Sequence, residues 1–337
     1  MGNMSVLASA AILGFLALAP VELQRSITEL VSSAPYLSVS TTIRLVKAIT
    51  GFVIVKAIAS RANAYFSWKA ENNWATDDKY DWEKEVLLLT GASSGLGEQM
   101  AQMLADRGVK VVALDVQPLK PEIAAYKNVH FYECDVGNFN RLSEVAAQIR
   151  ADHGDPTVLV LNAAIINDDV LLNIPVERTQ KLLNINLVSH FAMVHEFLPS
   201  MIEKNHGHIV QVASMCSFIT ISGLSDYSVS KAGVLALHES LRQELRHVYK
   251  ADKVRTSIVH PTWMKTNIVE FSESIKSRNL AFASVSRSAR QVVDAIMGGY
   301  SQRVLVPQRL GMQVGVMVRG LPFWFQEPIR DRLKIRG

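Results

Sequence analysis

The chain has 337 residues, 49% of them apolar, and 35 Lys+Arg against 31 Asp+Glu leave a formal charge of +4. That composition supports a sizeable buried core, and basic residues scattered along the chain rather than blocked argue against a nucleic-acid partner. Cys134 and Cys216 are the two cysteines and lie far apart, with no Cys or His at ligand spacing, so neither a disulfide framework nor a metal centre is indicated.

Residues 1–64 read as a membrane-anchor region. Its first part, the apolar segment 4–21, lies in a stretch from Met1 to Val21 that carries no charge, and about 20 such residues cross a bilayer as a helix. A secretory signal is the alternative. No basic residue precedes the run, and Pro20 follows the small-residue site Ala17-Leu-Ala19, which favours a retained anchor. Segment 45–59 contains Lys47 and Lys56 and is short for a span. It reads as an amphipathic helix, either lying in the membrane interface with its lysines reaching the headgroups or packed on the protein itself. Arg25, Arg44, Lys47, Lys56 and Arg61 all follow the first segment, which would put the remainder on the cytosolic side. Residues 65–82 are polar and aromatic without periodicity and read as a linker.

From 83 to 310, apolar runs of strand length alternate with segments long enough for helices. Seven such runs occur, from Val86–Leu89 to Val304–Val306. This alternation predicts an α/β fold, a Rossmann-type doubly wound parallel sheet of about seven strands with helices on both faces, preceded by the N-terminal hydrophobic helices.

The first run leads directly into Thr90-Gly-Ala-Ser-Ser-Gly-Leu-Gly97, and a helix pattern follows. After a strand and before a helix, Gly91, Gly95 and Gly97 permit a tight turn in which backbone amides, together with Ser93, Ser94 and Leu96, approach a pyrophosphate at the helix N-terminus. The second run ends at Asp115, about 20 residues beyond the glycines, where a carboxylate accepts from adenosine ribose hydroxyls and repels a 2′-phosphate. No Arg or Lys directly follows Asp115, so the cofactor expected is NAD, with NADP left open. Asp135 and Val136, after the third run, fall at the adenine edge, although Asp135 could equally cap a helix.

Tyr227 and Lys231 are spaced four apart where a helix pattern begins, and on a helix they share a face. A surface pair is the ordinary reading. The sharper one is a proton-transfer pair in which the ammonium lowers the phenol pKa from about 10 toward neutrality.

Taken together, these motifs resemble the short-chain dehydrogenase/reductase family over roughly Glu83 to Pro307. The shared features are the Thr90–Gly97 turn, Asn162-Ala163-Ala164 after the fourth run, Asn186, Ser214 thirteen positions before Tyr227, and Tyr227 with Lys231. The resemblance implies that Tyr227 is the general acid or base and that Ser214 hydrogen-bonds the substrate oxygen. It further implies that Lys231 lowers the phenol pKa and holds the nicotinamide ribose, and that Asn186 supports a water chain from Lys231. Asn162, Ala163, Pro261 and Thr266 would line the cofactor. Two positions depart from the family pattern: Ala164 stands where a glycine is usual, and Thr262 follows Pro261 in place of a glycine. Cys216 reads as a neutral pocket wall, and His190, His195 and His260 receive no role.

Residues 267–285 would form a lid with Ile268, Val269, Phe271, Leu280 and Phe282 toward an apolar ligand. The tail 311–337 is apolar and aromatic and reads as a membrane-docking extension, with a packed helix or dimer contact as the alternative. The expected activity is NAD(P)-dependent interconversion of an alcohol and a carbonyl on a lipophilic substrate such as a retinoid, steroid or long-chain lipid. The enzyme would sit on the endoplasmic reticulum or a lipid droplet, with its catalytic domain facing the cytosol. An NADPH-dependent ketoreductase of lipid synthesis and a non-catalytic dinucleotide-binding scaffold at a membrane are the alternatives. The resemblance leaves a homodimer open, but no pairing face is legible in the residues.

Overall fold

The computed structural model describes residues 39–75, 80–266, 282–308 and 310–333. The apolar segment 4–21 and most of the expected lid lie outside them. The first described element is α1, Val39–Glu71, 33 residues long. Two expectations change here. Residues 65–71 belong to this helix and not to a linker: Lys69, Ala70 and Glu71 are good helix formers and carry the helix on past Tyr65, Phe66, Ser67 and Trp68, with no apolar periodicity to reveal it. The segment 45–59 is also not amphipathic: the consecutive residues Phe52, Val53, Ile54 and Val55 are all exposed and point round the whole axis. Among the described residues no helix is long and apolar enough to cross a membrane.

The chain divides into one compact unit up to Ser67 and a second from Trp68 onward. In the second, the chain leaves α1 through Asn73 and Trp74, both left-handed. The buried Asn72 side chain donates to the Ser301 carbonyl at 3.2 Å and accepts from its N–H at 2.9 Å. That pairing fixes the entry to the catalytic domain against its far edge.

Seven strands follow: β1 Val86–Thr90, β2 Lys110–Asp115, β3 Val129–Glu133, β4 Val158–Leu161, β5 His208–Val212, β6 Arg255–Pro261 and β7 Arg303–Val306. They form one parallel sheet in the order β3-β2-β1-β4-β5-β6-β7. Every residue of β1, β4, β5 and β6 is buried, as a parallel sheet covered on both faces requires. The connecting helices are α2 Gly95–Asp106, the short α3 Pro121–Ala124, α4 Phe139–His153, α5 Val176–Leu183, α6 Ser189–Lys204, α7 Ser225–His247 and α8 Val285–Met297. Period-2 side-chain alternation along the strands divides the core into two layers. Leu87, Leu89, Val111 and Val160 pack under Met100 and Leu104 of α2 and Val292 and Ile296 of α8. Leu88, Val112, Leu114 and Leu159 pack under Leu142 of α4, Phe197 of α6 and Leu241 of α7. Past the sheet lie α9 Leu310–Met317 and α10 Phe323–Leu333.

The strand order reverses between β1, which continues outward to β2, and β4, which continues to β5. A crevice therefore opens beyond the carboxyl ends of these two strands, where ligands bind in open α/β sheets.

Candidate active site

The crevice is built first by a lock between the turns after β1 and β4. The Thr90 hydroxyl accepts the N–H groups of Asn162 and Ala163 at 2.9 and 3.0 Å. The Asn162 amide donates back to the carbonyls of Thr90 and Gly91 at 3.0 and 3.1 Å. Within that lock Gly91 has φ +69°, and a Cβ on Gly97 would fall 1.9 Å from the Gly91 carbonyl oxygen. Here no residue but glycine fits. Ser94 is extended and its side chain makes no cap, so the first-turn N–H groups of α2 keep their donor capacity. Ser94, Gly95 and Leu96 line the cleft, a donor set that suits a pyrophosphate.

Asp115 closes the next side. Its Oδ2 accepts from Ser93 N–H at 2.9 Å and its Oδ1 from Gln117 N–H at 3.0 Å. Asp135 accepts from Gly137 N–H at 2.8 Å, whereas the cap of α4 is Asn138, which accepts from Arg141 N–H. Asp135 is therefore free of the capping role and faces the cleft with Val136.

The reacting end is set by β5, the turn Met215–Ser217 and the first two turns of α7. Ser214 Oγ accepts from Cys216 N–H at 3.1 Å, which directs the hydroxyl proton elsewhere. Tyr227 is positioned through Asp226, which takes the Tyr227 N–H at 2.7 Å on one oxygen and the Asn167 amide at 2.7 Å on the other. Lys231 is almost wholly buried, and its Nζ donates to the Val212 carbonyl at 2.9 Å and lies 5.8 Å from the Tyr227 ring centroid. Burial pushes the lysine down to about 8, so it still carries charge at neutral pH.

The tyrosine does not follow the expected direction. Burial, reinforced by Cys216, raises the phenol above its usual value, and a hydrogen bond with Ser214 opposes that only partly. Lys231 gives one of its three N–H groups to Val212 and does not bring the phenol toward neutrality in the protein alone.

Of the residues expected in the site, the cleft brings together Gly91, Ser94, Gly95, Leu96, Asp115, Asp135, Val136, Asn162, Ala163, Ser214, Tyr227, Lys231, Pro261 and Thr266. Ser93, Gly97 and Asn186 stand behind its wall. Asn186 lies in a π-helical turn, Asn184–Val188, that joins α5 to α6. Its Oδ1 accepts from Ile165 N–H and its Nδ2 donates to the Ile165 carbonyl, both at 2.8 Å. A longer bond runs to Ser230 Oγ at 3.3 Å. Sequence reasoning missed the strut Asn167–Asp226, which joins residues 59 positions apart, and the cleft residues Met215, Trp263 and Met264. Only their nearness to Ser214 and Pro261 could have signalled the latter three.

The crossover crevice, the glycine turn at a helix N-terminus and the Ser214, Tyr227 and Lys231 cluster define a dinucleotide-dependent oxidoreductase. Residues 85–276 match the family model described as short chain dehydrogenase, and the chain belongs to that family. It is an alcohol dehydrogenase/reductase that uses a nicotinamide dinucleotide. It is 39% identical over 213 residues to "Dehydrogenase RED2" of Cochliobolus heterostrophus, covering 63% of this chain and 80% of that one. It is 34% identical over 221 residues to "Epidermal retinol dehydrogenase 2" of Mus musculus, covering 63% and 71% respectively. The solved structure of a metagenomic short-chain oxidoreductase in complex with NADP shares the fold, with a TM-score of 0.56, 24% identity, and coverage of 67% of this chain and 98% of that one.

Proposed function

We propose that this enzyme is an NAD-dependent dehydrogenase of lipophilic alcohols, acting at a membrane or lipid-droplet surface. The observation that carries the reading is that Ser214, Tyr227 and Lys231 line the same cleft as the glycine turn and Asp115. A bound nicotinamide supplies the hydride acceptor or donor. The Tyr227 hydroxyl exchanges a proton with the substrate oxygen, as general base in oxidation and general acid in reduction. Ser214 donates a hydrogen bond to that oxygen, and the N–H of Cys216 on one of its lone pairs leaves the hydroxyl proton for that bond. Lys231 is an immobile charge behind Tyr227 and holds the nicotinamide ribose. Asn186 acts by clamping Ile165, which lines the cleft.

Asp115 favours NAD because its carboxylate, facing the cleft, would meet a 2′-phosphate with like charge, and no cation follows it before Gln117. A lipophilic substrate is supported by Met215, Trp263, Met264, Ile165 and Ile166 in the cleft wall. Attachment to a membrane is supported by the exposed Phe323 and Trp324, 71% and 74% accessible, beside Arg319. A cytosolic orientation on the endoplasmic reticulum or a lipid droplet accords with these features.

The test is a screen of lipid alcohols, retinol, hydroxysteroids and long-chain alkanols among them, with NADH formation as the readout and Tyr227→Phe as the inactive control. Turnover of at least one lipid alcohol by the unmodified protein, lost in the variant, is expected. Preferential use of NADPH for ketone reduction would instead identify a biosynthetic ketoreductase, and cofactor binding with no turnover would identify a scaffold.

A further inference from the structure

We propose that Gly315 of α9, acting through Met215, sets the room available to the substrate at the reacting end of the cleft. The inference deepens the reading above and rests on its assignment of Ser214 and Tyr227 to the reacting end.

Met215 follows Ser214 directly and lines the cleft. The turn it belongs to is pinned by hydrogen bonds. Ser217 N–H donates to the Ser214 carbonyl at 3.0 Å, Phe218 N–H to the Met215 carbonyl at 3.0 Å, and Ser217 Oγ to the Lys231 carbonyl at 2.8 Å. The turn cannot retreat without disturbing Ser214 and Lys231, so only the thioether can adapt, and methionine is the side chain best suited to do so.

Gly315 does not line the cleft, yet the end of that thioether meets α9. A Cβ on Gly315 would lie 2.7 Å from Met215 Cε and 3.6 Å from Ile219 Cδ1. Gly311 and Gly320, in and just past the same helix, have nothing within 4 Å. Gly315 also has none of the positive φ angles that call for glycine elsewhere. It is a glycine for space: its bare backbone lets the helix seat on the methionine. Glycine is otherwise disfavoured within a helix, and here the close approach gives it a reason.

Helix α9 and the turn Val318–Gly320 after it thus have two faces of different use. Gly315 and Val318 turn inward and are buried, while Val314 and Met317 are 49% and 66% exposed. The tail expected either to dock on a membrane or to pack on the domain has one face fit for each. The packed face reaches the cleft through a single movable side chain.

The test is steady-state oxidation of a ladder of straight-chain alcohols from butanol to dodecanol, together with retinol. Gly315→Ala should drive the thioether into the cleft and lower kcat/KM for dodecanol and retinol about tenfold relative to butanol, the scale at which a pocket senses added carbon. The KM for NAD should stay unchanged. Met215→Ala should shift selectivity the opposite way. The double variant Gly315→Ala, Met215→Ala should return to the Met215→Ala profile, because the new methyl then has no thioether to displace. A Gly315→Ala enzyme whose ladder is unshifted, or whose loss is equal for every alcohol and persists in the double variant, overturns the inference. A wild-type enzyme that prefers butanol throughout overturns the lipophilic-substrate reading instead, and the relative shift among variants still reports on Gly315.

Discussion

Asp115 at the end of β2 accepts the backbone N–H of Ser93 at 2.9 Å, so an acidic residue that lines the cleft also tethers the glycine turn. The proposed ribose contact and the tether of the turn would then fall on one carboxylate. Asp115→Ala should weaken NAD binding by roughly tenfold while leaving NADP binding unchanged or stronger. It should also lower stability by about 1–3 kcal/mol, since it strips partners from Ser93 and Gln117. Fluorescence titration with both dinucleotides checks the first part and urea unfolding the second. Equal losses for the two cofactors would mean that the side chain serves the turn alone.

Asn186 gives a different kind of prediction. Its amide bridges the N–H and carbonyl of Ile165, so Asn186→Asp keeps the acceptor and loses the donors. The variant should lose about 1–3 kcal/mol of stability through the unpaired Ile165 carbonyl and the carboxylate set against it. Its kcat should fall by at least ~10-fold as the cleft wall loosens. A variant of unchanged melting temperature would show that the clamp is dispensable.

Lys231 carries a pH signature in the protein without cofactor. Folding holds its pKa at about 8, below the 10.5 of an ordinary exposed lysine. The unfolded chain therefore binds the extra proton between those values, and stability should rise with pH across this window. The burial penalty is fully present below pH 8 and is relieved toward 10.5. It is worth about 3 kcal/mol by the pKa difference. Lys231→Met should remove the rise, so its stability relative to the wild type should decline from pH 8 to 10.5 in paired denaturant titrations. Parallel curves would refute the assignment.

Acid should destabilise the enzyme steeply for a related reason. Burial depresses His190, His208 and His238 to about 3 and His260 to about 4. In the unfolded chain these groups take up protons as pH falls through about 6.5. Stability should drop between pH 6.5 and 4, by up to about 5 kcal/mol per pH unit if all four contribute. Unfolding calorimetry in buffers of different ionisation enthalpy would detect the proton uptake. A melting temperature flat over that range would contradict it.

Much of the fold was legible because strands buried on both faces appear as unbroken apolar runs. Val86–Leu89 and Val158–Leu161 could hardly be read otherwise. The end of α1 was not legible, since residues 65–71 open with Tyr65, Phe66, Ser67 and Trp68, indifferent helix formers, and carry no apolar stripe. In the site, Gly91, Asp115, Ser214, Tyr227 and Lys231 announced themselves through spacing along the chain. Met215 and the Asn167–Asp226 strut did not, because their importance comes from partners far away in sequence.

Local chemistry written along the chain determined the class of reaction: a glycine turn that admits phosphate, an acid at the end of the second strand, and a hydroxyl, phenol and amine at family spacing. Only the folded chain decided how those groups are tuned. Burial lifts Tyr227 when the sequence predicted a fall, Lys231 turns to the Val212 carbonyl, and Asn186 turns to Ile165. Desolvation and contact depend on which distant segments close over a side chain, and that information exists only once the sheet and its helices have assembled.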